Sequence, residues 1–301
     1  MADSSGQNEI RGIDIDKLSK GFADEASILK RFVTVSKTSA REIRWYKKTS
    51  GFLDSVDTTG VTTSQIFNVG EKALPTVIEQ SWTRQTSYVK KFFVESPTIS
   101  DEDIKDSDID ILATNVRDIV RAVQNQVDIR IYSTLIEAAA ATPTTPAPSA
   151  TNTAAALGTG WDDGTNGNPI KDIMIGIQKI RQASYDTSNI VLYINPIEHT
   201  NLLNYLIDTK GSSIPQFASE RVRDGVVMTI LGTDVVVSNN ATTDNALMFV
   251  PKRAATWKEF MSLRSVVIDE PLIGKKIRCS VEGEGLLTDP LAVHQITDTV
   301  T

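Results

Sequence analysis

The sequence predicts an α+β fold, and three observations carry that reading. Strand-prone and helix-prone runs are mixed without the strict alternation of a doubly wound sheet. A single apolar stripe marks one long helix between residues 109 and 135. The last quarter of the chain reads as strands and turns alone. The 301 residues leave room for about two domains, at roughly 150 residues each. A hydrophobic content of 40% against 23% charged is that of a protein with a packed core.

The elements follow in chain order. The first 60 residues are charge-rich, and Ile15, Leu18, Phe22, Leu29 and Phe32 recur near helical spacing, which predicts an amphipathic helix in this arm. Within residues 30–48, seven cations (Lys30, Arg31, Lys37, Arg41, Arg44, Lys47 and Lys48) stand against Glu42, a local balance of +6 in a chain of net charge -7. The favoured reading is a solvated face that pairs with acidic neighbours. The sharper one is a surface facing nucleic acid or an acidic partner. Residues 61–96 are rich in Val, Ile, Thr and aromatics, with Gly70 and Pro75 between the runs, and predict a two-stranded hairpin with its tip near "GEKALP". A continuous second arm from Thr76 to Val94 would reach on the order of 60 Å. Such an exposed ribbon is marginal in water and needs a surface to lie on.

In "SPTISDEDIKDSDIDIL", Ser100 or Asp101 suits a helix cap and carboxylates crowd the front, as the helix dipole favours. Ile109, Leu112, Val116, Ile119, Val123, Val127, Ile131 and Leu135 then form one stripe over roughly 40 Å of helix. A sustained heptad would place Gln126 and Arg130 in the seam, so a helix packed on a sheet is expected rather than a coiled coil. Residues 137–169 read as a long surface loop rich in Ala, Thr, Pro and Gly. A helix follows over "IKDIMIGIQKIRQA", with Ile173, Ile177 and Ile180 on one face. "IVLYINPIEHTNLLNYL" reads as a buried strand turning into a helix, with Asn195 as its cap and Pro196 in its first position. After a polar connector, "VVMTILGTDVVVSNN" and "NALMFVP" read as buried strands, and three more strands end the chain, with turns at Pro271–Gly274 and Gly283–Pro290.

The inventory of reactive groups is thin. The single cysteine, Cys279, excludes an internal disulfide framework and a cysteine-based zinc site, and reads as a small buried or half-buried strand residue. The two histidines, His199 and His294, lie in different segments with no partner at metal spacing. There is no nucleophile elbow or nucleotide-binding glycine fingerprint. "GTGWDDG" lacks the spacing and Lys-Ser/Thr of a phosphate loop, and "DDGTNGN" fails the calcium-loop spacing. Glu282 and Glu284, two apart on one strand face, read as a solvated edge rather than a carboxylate pair. No metal or cofactor is expected, and the chain is expected not to be an enzyme. The acidic balance, with a pI near 5.0, argues against a general nucleic-acid binder. No signal-peptide core and no apolar run of membrane-spanning length is present, so a soluble protein made in a cytoplasm is expected.

Five stretches in order carry a family resemblance: "GEKALP" with "RQTSYVKKFFVES", "SDEDIKDSDIDIL" with its long helix, "YDTSNIVLYINPIEHTNLLNYLIDTKGSSI", "ILGTDVVVSNNATTDNALMFVP" and "TDPLAVHQIT". Across about residues 60–301 the chain resembles the major capsid proteins of tailed phages and their archaeal relatives, the Hong Kong 97-type capsid fold. The resemblance implies an N-terminal arm (1–59), an E-loop hairpin (60–99), a P-domain with the spine helix (100–168 and 253–285) and an A-domain (169–252 and 286–301). It makes the Asn195-Pro196 corner structural and supplies the hairpin's missing cover, a neighbouring subunit.

The implied function is self-assembly into pentamers and hexamers of a virus shell around double-stranded DNA, with portal, scaffolding and cement proteins as possible partners and assembly in the host cytoplasm. Trp82, Arg84, Tyr88, Lys90, Lys91 and Phe92 are the expected E-loop contacts to a neighbour, aromatics and Arg being the usual interface anchors. Arg41, Arg44, Lys47 and Lys48 are the candidate DNA-facing residues. Some family members join an E-loop lysine to an asparagine near the C-terminus. Lys72 lies near the hairpin tip, but residues 246–301 contain no asparagine, so a non-covalent shell, or one locked by a cement protein, is expected. An arm of about 60 residues is too short for a large internal scaffold. The alternatives are an encapsulin-type compartment and an α+β enzyme with an unrecognised site.

Overall fold

The computed structural model describes residues 28–50, 54–56, 62–64, 70–74, 81–106, 111–136, 152–156, 159–182, 185–206 and 229–300. The arm helix expected between Ile15 and Phe32 lies largely outside them, and its described end is a single 3₁₀ turn at Leu29–Arg31. The polar connector at 209–225 lies outside as well. In chain order the elements are β1 (Thr34–Lys37), β2 (Glu42–Ser50), β3 (Asp54–Val56), β4 (Thr62–Ser64), β5 (Ser81–Tyr88), β6 (Lys90–Glu95), β7 (Ile99–Ser100), α1 (Asp101–Asp106), α2 (Ile111–Leu135) and β8 (Asn152–Ala155). Then come α3 (Pro169–Gln182), β9 (Ile190–Ile194), α4 (Pro196–Asn204), β10 (Thr229–Ile230), β11 (Thr233–Val237), β12 (Asn245–Phe249), β13 (Ala255–Glu270), β14 (Gly274–Leu287) and β15 (Val293–Thr297). The chain divides into two compact units, one of residues 1–43, 87–131 and 256–286, the other of 44–86, 132–255 and 287–301.

The first unit is built on a sheet ordered β1-β13-β14-β6, with β7 also paired to β14. Strand β1 runs parallel to β13, and β6 and β7 run antiparallel to β14. The part of α2 in this unit buries Val116, Val120, Val123, Val127 and Ile131. Val116, Val123, Val127 and Ile131 belong to the expected stripe, but Val120 is buried where Ile119 is half-buried, Leu112 is half-buried, and Ile109 lies outside the described residues. Gly274, at φ 154°, lies so close to the Ile99 carbonyl that a Cβ would strike it, and this close approach lets β7 pair.

The turn at 271–273 falls where it was expected. The next does not. Gly283 sits inside β14, which runs to Leu287, and the chain turns at 288–292. The glycine marks a packing contact, because a Cβ there would land on the indole of Trp257, itself fully buried.

The second unit carries a sheet ordered β10-β11-β9-β12-β15-β8. Strand β9 is buried at all five positions, which explains its unbroken apolar run, and it pairs in parallel with β11 and antiparallel with β12. Ile173 and Ile180 of α3, Leu202 of α4 and Ile190, Leu192 and Ile194 of β9 share one core with Trp161, Met248 and Ile296, and Ile177 packs against it. Part of the expected surface loop is a strand. Asn152–Ala155 forms β8, parallel to β15, while residues 137–151 are not described. The loop's Trp161 is buried, its indole N–H donating to Asp172 at 2.8 Å.

The strand pairing of the expected 61–96 hairpin also differs. Strand β5 forms a two-stranded sheet with β2, and β4 pairs with β3. The stretch 42–50 was read by its charge, yet Ile43, Trp45, Tyr46 and Thr49 make it strand-prone, and it offers β5 a longer partner. A turn does stand at the expected tip, where Ala73 N–H donates to the Gly70 carbonyl at 3.0 Å.

Two stability predictions follow from these packings. Gly→Ala within a strand normally stabilises slightly, but Gly283→Ala forces a methyl group onto a rigid buried indole. It is expected to destabilise the subunit by about 1–3 kcal/mol, read as a lower thermal midpoint. His294 of β15 is fully buried, and burial, helped by Lys179, pushes its imidazole down from 6.5 to about 4. The unfolded chain therefore takes up a proton before the folded one does. Stability is fully present above about pH 6.5 and falls as pH drops towards 4, by up to about 3 kcal/mol. Denaturant midpoints measured across that window should decline less steeply in His294→Leu.

Candidate subunit interfaces

The strand-to-helix corner at Asn195-Pro196 is a structural joint. Asn195 Oδ1 accepts the Ile197 N–H at 3.1 Å, and its amide donates to the Ala241 carbonyl at 2.9 Å. Glu198 is fully buried, and its Oε1 accepts the Asp244 N–H at 2.7 Å. Asp244 in turn accepts the Val300 N–H at 2.9 Å. His199 is half-buried, and burial pushes its imidazole down. Cys279 is buried and its thiol is pushed up to about 11, the opposite of an activated nucleophile. Among the described residues no three His, Cys, Asp or Glu side chains cluster to hold a metal ion. Among them too, no helix is long and apolar enough to cross a membrane.

Glu282 and Glu284 are not on a solvated edge. Strand β14 lies inside its sheet, between β13 and β6, and both carboxylates are buried. Glu282 meets two cations, Arg41 at 3.6 Å and Lys91 at 3.8 Å. Arg130 of α2 forms a close ion pair with Glu284. The Arg41 guanidinium also lies over the Phe260 ring, 5.3 Å from its centroid. The arm is fastened nearby, with Lys30 on Glu259 at 2.8 Å and Asp128 accepting the Ile28 N–H at 2.8 Å. These pairings were hidden in the sequence because each joins segments far apart in the chain.

Of the expected interface residues, Arg84 is exposed and Tyr88 is 66% exposed. Lys90 and Lys91 are exposed, and the Lys91 ammonium stands 4.9 Å from the Phe93 ring centroid. Trp82 lies on β5, with its side chain outside the described part. Phe92 is half-buried, and Phe93 is the outward ring, 53% exposed. The strand period of two sets this alternation, with Phe92 opposite Val281 and Phe93 opposite Ser280. Of the expected DNA-facing residues, Arg41 and Arg44 are exposed, and Lys47 and Lys48 lie on β2. The geometry of the described residues offers surfaces and ion-paired joints.

Removing one partner of a buried pair costs more than the pair is worth, because the other charge stays in low dielectric. Arg130→Met is therefore expected to destabilise the subunit by about 3 kcal/mol in chemical denaturation. The double variant Arg130→Met with Glu284→Met should recover much of that loss.

The capsid structure of the cyanophage P-SCSP1u superposes with a TM-score of 0.68 at 13% identity, over 91% of this chain and 89% of that one. A structure from Mycobacterium phage Che8 gives 0.63 at 14%, over 91% and 92%. The virus-like particle of Pyrococcus furiosus gives 0.60 at 10%, over 93% and 96%. At such identities the likeness establishes the fold, which is the Hong Kong 97 type. No curated protein sequence matches. The sequence model of a family described as phage capsid protein matches residues 97–276, more than half of the chain. The chain belongs to the phage capsid protein family, and is a structural protein of the capsid shell rather than an enzyme.

Proposed function

We propose that this chain assembles into pentamers and hexamers that close an icosahedral shell around double-stranded DNA, in the cytoplasm of a host cell. The observation that carries the reading is the capsid-family match over residues 97–276, from β7 and α2 through β13 to the start of β14. In the domain terms of the fold, residues 1–59 are the arm and 60–99 the E-loop. Residues 100–168 with 253–285 are the P-domain, and 169–252 with 286–301 the A-domain. Trp82, Arg84, Tyr88, Lys90, Lys91 and Phe92 contact a neighbouring subunit. Exposed aromatic and cationic side chains on β5 and β6 support that role. Arg41, Arg44, Lys47 and Lys48 face packaged DNA, a role supported by the +6 balance of residues 30–48. Portal, scaffolding and cement proteins complete the set of partners.

The test is electron microscopy of the purified protein, with absorbance at 260 and 280 nm on the same fraction. Closed shells or capsomer rings carrying nucleic acid are expected, and shells boiled in denaturant should run as monomer bands, since no cross-link is expected at Lys72. Changing Arg44, Lys47 and Lys48 to Gln should lower the nucleic-acid signal and leave shells intact, with Arg41 kept because it also pairs with the buried Glu282. A protein that stays monomeric alone and with its co-expressed structural partners would overturn the reading, and shells filled with protein cargo would assign it to compartments.

A further inference from the structure

Glu282 and Glu284 share one face of β14, yet their pairings differ in kind. Glu284 makes a close ion pair with one guanidinium, that of Arg130 on α2. Glu282 faces two cations, and neither comes within hydrogen-bond distance: Arg41 stands at 3.6 Å and Lys91 at 3.8 Å. Its Oε2 accepts no hydrogen bond among the described residues, although the side chain is buried. The two cations lie largely in water, the Arg41 side chain 73% exposed and that of Lys91 54%. A carboxylate taken out of water and reached only loosely is not fully compensated, so it weakens the free subunit. An apolar side chain at this position would be the more stable occupant.

The places of its partners in the chain show what the carboxylate does. Arg41 immediately precedes β2, and Lys91 is the second residue of β6. Residues 42–90 lie between them, so one carboxylate draws together the two ends of that whole stretch. Little else does so at this point. The Val89 N–H donates to the Arg41 carbonyl at 2.9 Å, and the Arg41 guanidinium lies over the Phe260 ring. One backbone hydrogen bond contributes little in net terms and must oppose the entropy of closing a long loop. A buried charge acts on both ends at once and needs no fixed bonding geometry, which suits two cations of different shape.

We propose that Glu282 is a charge clamp, a positioning residue that holds the two ends of residues 42–90 together, and that it is retained for this at a cost to the free subunit. That stretch carries the E-loop in the shell-forming reading, on which only the assembly part of the test rests. The test compares wild type, Glu282→Gln and Glu282→Met, each as the full chain. Amide hydrogen exchange and the thermal midpoint are measured on the unassembled subunit, and then the concentration at which shells form. Both variants leave Arg41 and Lys91 in water, where an unpaired cation costs little. The Val89 amide is expected to exchange at least about tenfold faster in both variants. The amides of Val120, Val123 and Val127 on α2 should be unchanged, and the midpoint equal or higher. Wild-type exchange at Val89 should quicken between about 0.1 M and about 1 M salt, and that dependence should vanish in the variants. Variant shells should need a severalfold higher concentration. Val89 exchange unchanged in both variants would overturn the clamp and leave the capsid reading standing. Faster exchange throughout the unit, with a lowered midpoint in both variants, would assign Glu282 to the core of the fold and overturn it as well. A loosened Val89 with shells at the wild-type concentration would overturn the role in assembly. Wild type that forms no shells would overturn the shell reading and leave the clamp to be decided by exchange.

Discussion

The first unit depends on the neutralisation of two carboxylates in the middle of a sheet. Glu282 and Glu284 stand on one face of β14, two residues apart, and both are buried. A buried carboxylate without a cation costs several kcal/mol, so the strand requires its partners. They come from three segments: Arg41 ahead of β2, Lys91 on β6 and Arg130 on α2. The register of β6 puts Lys91 directly opposite Glu282, and a slip of one residue would turn that ammonium to the other face. The opposite face of β14 is specified differently. Gly283, between the two carboxylates in sequence, leaves room for the Trp257 indole. Charge on one side and shape on the other therefore fix the same register.

The second unit also buries carboxylates, Asp172 and Glu198, but keeps them off its central strand. Its central strand β9 has no charged residue, and the sheet is held by aliphatic side chains packed beneath α3 and α4. Polar contacts gather at the ends of the strands, where they tie loops together. Asn195 and Glu198 reach the 241–244 turn, Asp244 and Trp161 hold residues 299–300, and Asp289 receives the Tyr185 hydroxyl and the Arg253 guanidinium. Burial and the neighbouring Asp289 push the Tyr185 phenol up, and Arg253 stacks 4.9 Å from its ring centroid. This is the "TDPLAV" stretch, and its conspicuous Asp-Pro is a fastening point for the return strand.

What could be read from the sequence was whatever depends on local pattern. The α2 stripe, the buried run of β9 and the Asn-Pro corner each follow from periodicity or capping, and each appears within a residue or two of its expected place. What could not be read depends on distant partners. Residues 42–50 showed a charge run and concealed a strand, because pairing with β5 is decided by competition among distant segments. The sequence Asn-Thr-Ala-Ala has weak strand preference, and its place beside β15 is set by backbone pairing. Glu282 and Glu284 were read as solvated because carboxylates usually are. Only the arrival of Arg41, Lys91 and Arg130 makes their burial tolerable.

The perturbed side chains bear on why the protein works through its surfaces. Active sites bring shifted groups together so that one can act on another. Here His294, Cys279 and Tyr185 are shifted chiefly by burial, and they lie in a sheet strand, in another sheet and at a loop anchor. Each of these shifts records packing. Some unfavourable features of the free chain are exposed instead: a leucine in a left-handed turn, an outward phenylalanine beside an ammonium, and a ribbon strand with an exposed tyrosine. An enzyme concentrates strain where substrate binds, and the exposed features of this chain lie apart from its shifted groups in the sequence.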